Sequence, residues 1–258
     1  MIRHNVKTMS CIADMWPPDP ERITLLFIHG AGSSGLFWEP QVKGLSKYAN
    51  TVAVDLPGHG YSKKESGKDR IEDYAEVIKE FADNLNLNHI VVCGLSMGGA
   101  IVQQLLIDNR NSFKGGVLIG TGARLRVMPE IFTTIESNYP EYIEMLKKVG
   151  FSPKTDPETT VRIAEQTAKC NPAVTKNDFS ACNEFNVMNK LHVIDVPVLV
   201  VTGLDDLLTP PKYGEFLEKN IKKAYKAQIP DAGHLCPAEK PDAFNKAVID
   251  FLNCLNPD

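Results

Sequence analysis

The residues Gly94-Leu95-Ser96-Met97-Gly98 carry the clearest chemical signal in this chain. A serine hydroxyl attacks a carbonyl efficiently only when a neighbouring base takes its proton and nearby donors receive the negative charge that develops on oxygen. Glycines two positions to either side permit a sharp strand-to-helix turn that lifts the hydroxyl clear of the backbone. The surroundings suit such a turn: an apolar, β-branched run at 90–93 precedes it and a helical run at 99–107 follows. The first amides of that helix would favour negative charge at the serine.

A base and an orienting acid are then required. Asp231-Ala232-Gly233-His234 follows an apolar run at 224–229, and Gly203-Leu204-Asp205-Asp206 follows another at 198–201. Serine, aspartate and histidine thus occur in one of the chain orders used by serine hydrolases. Local sequence does not separate the two adjacent aspartates. Cys236, two residues past His234, has no neighbour that would activate a thiolate and reads as an inert thiol.

Two further motifs, Phe27-Ile28-His29-Gly30-Ala31-Gly32 and Asp55-Leu56-Pro57-Gly58-His59-Gly60-Tyr61-Ser62, complete a pattern that resembles the α/β-hydrolase family along nearly the whole chain. The resemblance implies Ser96 as nucleophile, His234 as general base and Asp206 as the acid, with Asp205 its rival. It implies an oxyanion hole from the amides of Ala31 and Met97. It also points to Trp38 as packing or lining the substrate pocket, to Leu95 as a substrate-pocket residue, to His29 as structural, and to Asp55, His59 and Ser62 as hydrogen-bonding within their own turn. No metal or organic cofactor is expected for this chemistry.

The elements that would position these residues follow from periodicity. Apolar runs at 23–28, 51–54, 90–93, 117–119, 198–201 and 224–229 read as strands, and the near-continuous apolar character of 23–28 and 198–201 suits a parallel sheet covered on both faces. Ile71, Tyr74, Ile78, Phe81 and Leu85 fall on one helical face, and a closing helix is expected from Pro241 with Phe244, Val248 and Phe251 inward. The expected fold is α/β, with a mostly parallel sheet flanked by helices.

Residues 123–191 offer no strand, only short helical stretches punctuated by Pro129, Pro140, Pro153, Pro157 and Pro172. They read as a helical cap inserted into a core formed by 1–122 and 192–258. Arg124 and Arg126, where the chain enters the cap, are placed at the substrate edge or against cap acids such as Glu130 and Glu136. Apolar cap residues, among them Met128, Ile131, Tyr139 and Phe151, are expected to line a hydrophobic acyl pocket.

Composition narrows the function classes. The 258 residues carry 43% hydrophobic and 23% charged side chains with a net charge of −4, which gives no basic field for nucleic acid. No apolar run approaches a membrane span, and a cytoplasmic address is expected. The six cysteines lack metal-ligand or redox spacing. The expected function is a serine carboxylesterase acting on small carboxylic esters, with lactone or carbon–carbon hydrolysis, or a hydrolase-like signalling receptor, as alternatives.

Overall fold

The computed structural model describes residues 1–64, 66–87 and 89–255. Strands β1 (Ile2–Val6), β2 (Met9–Ala13), β3 (Thr24–Ile28), β4 (Asn50–Val54), β5 (Ile90–Leu95), β6 (Gly115–Ile119), β7 (Val198–Gly203) and β8 (Ala224–Ile229) form one sheet. Their order is β1-β2-β4-β3-β5-β6-β7-β8; β3 to β8 run parallel, while β2 is antiparallel to both neighbours. The β1–β2 hairpin is not among the strands expected from sequence. Arg3, His4 and Asn5 give β1 no apolar run, and as an edge strand it is paired on one side only.

Alternation along the central strands divides the core into two layers. Leu26, Ile28, Val92, Leu118 and Val200 face one cluster, and Leu25, Phe27, Val91, Val117 and Val201 face the other. Between the strands run α1 (Glu39–Gly44), α2 (Ile71–Asn84) and α3 (Met97–Asp108), with α2 and α3 against the first layer. Burial on both faces is why these strands read as unbroken apolar runs.

Four helices separate β6 from β7: α4 (Pro129–Ser137), α5 (Tyr139–Val149), α6 (Pro157–Thr167) and α7 (Pro172–Glu184). Each has a proline in its first turn, where the missing N–H costs nothing, and Asn138, Asp156 and Asn171 cap the last three through their side chains. Four of the five prolines that interrupt this stretch of sequence are therefore helix starts, and Pro153 lies in the turn between α5 and α6. Ile135, Tyr142, Ile143 and Ala164 give the segment a small core of its own. Helices α8 (Pro211–Asn220), α9 (Cys236–Glu239) and α10 (Pro241–Leu255) complete the chain, and α10 buries Phe244, Val248, Phe251 and Leu252 in the second layer. The loops after β3, β5, β6, β7 and β8 all leave the carboxyl edge of the sheet, where open parallel sheets bind ligands.

Candidate active site

Strand β5 ends at Leu95, and α3 starts at Met97, so Ser96 alone makes the turn, at φ 55° and ψ −116°. That conformation is strained for a side chain and persists only because its surroundings fix it. Ser96 N donates to Ile119 O at 2.9 Å, and Thr121 Oγ1 donates to Ser96 O at 2.9 Å. A Cβ on Gly94 would collide with the Gly98 carbonyl, and one on Gly98 with the Ile28 carbonyl, so both positions require glycine. Ser96 stays partly exposed.

The loop after β3 passes beside it: a Cβ at Gly30 would lie 3.4 Å from Ser96 Cβ. No hydrogen bond among those of the described residues engages the amide of Ala31 or of Met97. The next amide, Gly32 N, donates to Asp178 Oδ2 at 2.8 Å and is not free. Two open donors thus flank the serine.

The candidate acid and base lie on the loops after β7 and β8. His234 Nδ1 donates to Asp206 Oδ2 at 3.0 Å. Asp206 also accepts from Leu208 N at 2.8 Å, Thr209 N at 2.9 Å and Thr209 Oγ1 at 2.8 Å, which fixes its carboxylate. Burial pushes the Asp206 carboxyl up, yet the charge and hydrogen bond of His234, with those from Thr209, outweigh it and hold the group below the usual carboxylate range. Burial alone would lower His234, but the Asp206 charge and hydrogen bond, with Glu239 behind them, raise it above an ordinary imidazole.

The His234 ring lies against the end of β6, where a Cβ on Gly120 would be 3.3 Å from Nδ1. None of the hydrogen bonds of the described residues joins Ser96 Oγ to His234 Nε2, a contact that in sites of this kind tightens when substrate binds. Asp205 turns the other way and accepts from Ser152 Oγ at 2.6 Å, across to the helical segment. The adjacent aspartates are thereby separated in three dimensions.

Several expectations are corrected. Trp38 does not line a pocket: it is fully buried among Phe27, Phe37 and Phe244, and Leu95 is likewise buried in the core. Arg124 and Arg126 line a cavity whose walls include none of Ser96, Asp206 or His234. Of the apolar cap residues, Ile131 and Tyr139 pack on the segment's own core, Phe151 is buried in the second layer, and Met128 faces solvent. His59 reaches outside its turn. So do Asp55 and Ser62: beside the in-turn bonds from Tyr61 N to Asp55 Oδ2 and from Ser62 Oγ to Asp55 O, Asp55 accepts from Arg3 Nη1 and Gly35 N, each at 2.8 Å, and Ser62 Oγ accepts from Ser10 N at 2.8 Å.

Sequence reasoning missed two acids. Asp178 on α7 is fully buried and accepts from Gly32 N, from His59 Nε2 at 2.8 Å and from Tyr74 Oη at 2.7 Å. His59 Nδ1 faces the Pro57 carbonyl at 3.0 Å, so both ring nitrogens meet acceptors, an arrangement that favours the protonated ring. Burial would lower its pKa, but the Asp178 charge and hydrogen bond lift it well above the ordinary value. The neighbouring His29 is pushed down to about 3 by burial and by His59, and its Nε2 accepts from Leu56 N at 3.1 Å as a neutral ring must.

Removing one partner of a buried ion pair costs about 3–5 kcal/mol. Asp178→Asn is expected to lose stability on that scale in urea unfolding. The contribution of a raised imidazole pKa is fully present below the unfolded value and is lost as pH rises through the folded one. The gap between wild type and Asp178→Asn should therefore be widest in mild acid and shrink in alkali; a constant gap would count against the pair.

The second missed acid is Glu239 on α9. Its carboxylate accepts from Gly233 N at 2.9 Å, from Ser152 N at 2.8 Å and from Thr155 Oγ1. It clamps the backbone before His234 to the loop between α5 and α6, which His234 N also meets through Gly150 O at 3.1 Å. Because its negative charge helps to raise His234, Glu239→Gln is expected to move the acidic limb of kcat/KM to lower pH and to lower the plateau. A lower plateau with an unmoved limb would mean that Glu239 only packs.

A sequence profile described as the alpha/beta hydrolase family matches residues 25–247. The chain belongs to the alpha/beta hydrolase family. This alpha/beta hydrolase is 25% identical to 3-oxoadipate enol-lactonase 2 of Acinetobacter baylyi, over 92% of this chain and 91% of that protein. It is also 25% identical to the pimeloyl-(acyl-carrier protein) methyl ester esterase of Neisseria meningitidis, over 87% and 91%. The solved enol-lactonase of Burkholderia xenovorans superposes with a TM-score of 0.87 at 24% identity, covering 98% of this chain and all of that one (100%). Membership and these relatives place the alpha/beta hydrolase among enzymes of the hydrolase class. No helix among its described residues is long and apolar enough to cross a membrane.

Proposed function

We propose that this alpha/beta hydrolase is a carboxylic ester hydrolase that works through an acyl-enzyme on Ser96. The observation that carries the reading is the Asp206–His234 hydrogen bond set behind a strained serine flanked by two unengaged amides. His234 Nε2 takes the Ser96 proton as Oγ attacks the carbonyl carbon; Ala31 N and Met97 N hold the oxyanion; Asp206 keeps the Nδ1–H tautomer and stabilises the imidazolium. Collapse of the tetrahedral intermediate expels the alkoxide, protonated by His234. Water deprotonated by the same ring then releases the acid and frees Ser96.

A lactone is an internal ester, so the same steps open it and leave the alcohol on the same molecule. The enol-lactonase relative favours keeping lactones as a second substrate class. The helices between β6 and β7 act in this reading as a cap over the site. Activated esters of graded acyl length, tested beside simple lactones, decide between the two: repeated turnover of neutral short or medium acyl esters is expected, and turnover of lactones alone would shift the assignment. A single stoichiometric burst with no further turnover would favour a receptor-like role and overturn the enzyme reading.

A further inference from the structure

The segments entering and leaving the helical insertion lie side by side. Val187 N donates to Ala123 O at 2.8 Å and Leu125 N to Phe185 O at 3.4 Å, around an antiparallel bridge between Arg124 and Asn186. Alternation sends Ala123, Leu125, Phe185 and Val187 into the core and leaves Arg124 and Arg126, two residues apart, on the outer side. There they meet Lys212, Tyr213 and Phe216 of α8. With Met188, these residues line an open surface cavity of about 400 Å³, a volume suited to a small molecule.

Three cations and no carboxylate line this cavity, in a chain whose net charge is −4. None of the ion pairs or side-chain hydrogen bonds among the described residues involves Arg124, Arg126 or Lys212. Of the acids on α4 and α8, Glu136 pairs with Lys176 and Glu218 with Lys226. Like charges gathered without a counter-charge repel, and a guanidinium fork matches carboxylate or phosphate oxygens in pairs. Lys212 also lies in the first turn of α8, where the helix dipole favours an anion. Tyr213, Phe216 and Met188 supply apolar surface beside the charges.

We propose that this cavity is a second binding site, for a small organic anion: a carboxylate or phosphate head group on a flat apolar body. The triad residues are absent from its lining, so the proposal does not depend on the hydrolase mechanism.

Amide NMR of isotope-labelled protein, titrated with phenyl phosphate, benzoate, inorganic phosphate and benzyl alcohol, tests it. Phenyl phosphate or benzoate should saturably shift the amides of residues 123–126 and 212–216, and the tighter of the two identifies the preferred head group. Inorganic phosphate and benzyl alcohol, which each offer half of the ligand, should bind more weakly. Losing a charge-assisted contact in Arg124→Gln or Lys212→Gln should weaken the tighter ligand by about tenfold or more. Tyr213→Ala should weaken phenyl phosphate and leave inorganic phosphate unchanged. Shifts confined to the surroundings of Ser96 and His234, or affinities unaltered in both Gln variants, overturn the proposal; the spectrum of each variant verifies that it is folded.

Discussion

Ser96→Ala is expected to cut turnover of activated carboxylic esters by on the order of a millionfold, the scale seen when a serine nucleophile is removed from such a triad. The fold should survive, because the turn is fixed by the close approaches at Gly94 and Gly98 and by the backbone bonds of Ser96 to Ile119 and Thr121, none of which uses the hydroxyl. Matching far-ultraviolet circular dichroism and melting curves would establish that. A fluorophosphonate probe should label wild type at Ser96 and leave Ser96→Ala and His234→Ala unlabelled. Activity retained within tenfold would refute Ser96 as the nucleophile.

Asp206→Asn is expected to lower kcat by about ten-thousandfold, the cost of presenting the histidine in the wrong tautomer. An asparagine amide there would donate toward Nδ1 and force the proton onto Nε2, the atom that has to accept from Ser96. Asp205→Asn should do far less, since that carboxylate bonds Ser152 and not His234. The substitutions also separate in pH. Without the Asp206 charge His234 returns toward lower values, so the acidic limb of whatever activity remains should move down. Equal losses from the two variants would transfer the acid's role to Asp205 or divide it between them.

The sheet was legible because β3 to β7 are buried on both faces and so write themselves as apolar runs, while the opening hairpin, with Arg3, His4 and Asn5 in its outer strand, does not. Helix α2 was legible for a similar reason: Ile71, Tyr74, Ile78 and Phe81 repeat at helical spacing and are all buried. Around the candidate site, the strand-to-helix turn at Ser96 was legible because its sharp backbone geometry demands glycine at positions 94 and 98. The sequence did not separate Asp205 from Asp206, since neighbours in a loop point wherever tertiary contacts draw them.

Trp38 takes the packing alternative, which sequence does not distinguish because a large aromatic beside this loop looks the same whether it faces a ligand or the core. Asp178 left one trace, an acid in the otherwise uncharged inward stripe of Thr175, Ala181 and Cys182 on α7. Glu239 left none, because its partners are backbone amides that any sequence supplies.

The burial of Asp178 bears on how interchangeable the helices between β6 and β7 are. At the neck the join looks easy to cut, held by two backbone bonds beside a single bridge. Yet the carboxylate that neutralises His59 and holds Gly32 N belongs to that segment, while all of its partners belong to the sheet side. A chimera carrying a relative's helices without an acid at this position would strand a charged ring in the interior and release the backbone next to Ala31. Transplants between relatives are therefore constrained by this matched pair as well as by the bonds of Ser152 and Thr155 to Asp205 and Glu239: the helices and the turn bearing His59 have to travel together, or the pair has to be rewritten on both sides at once.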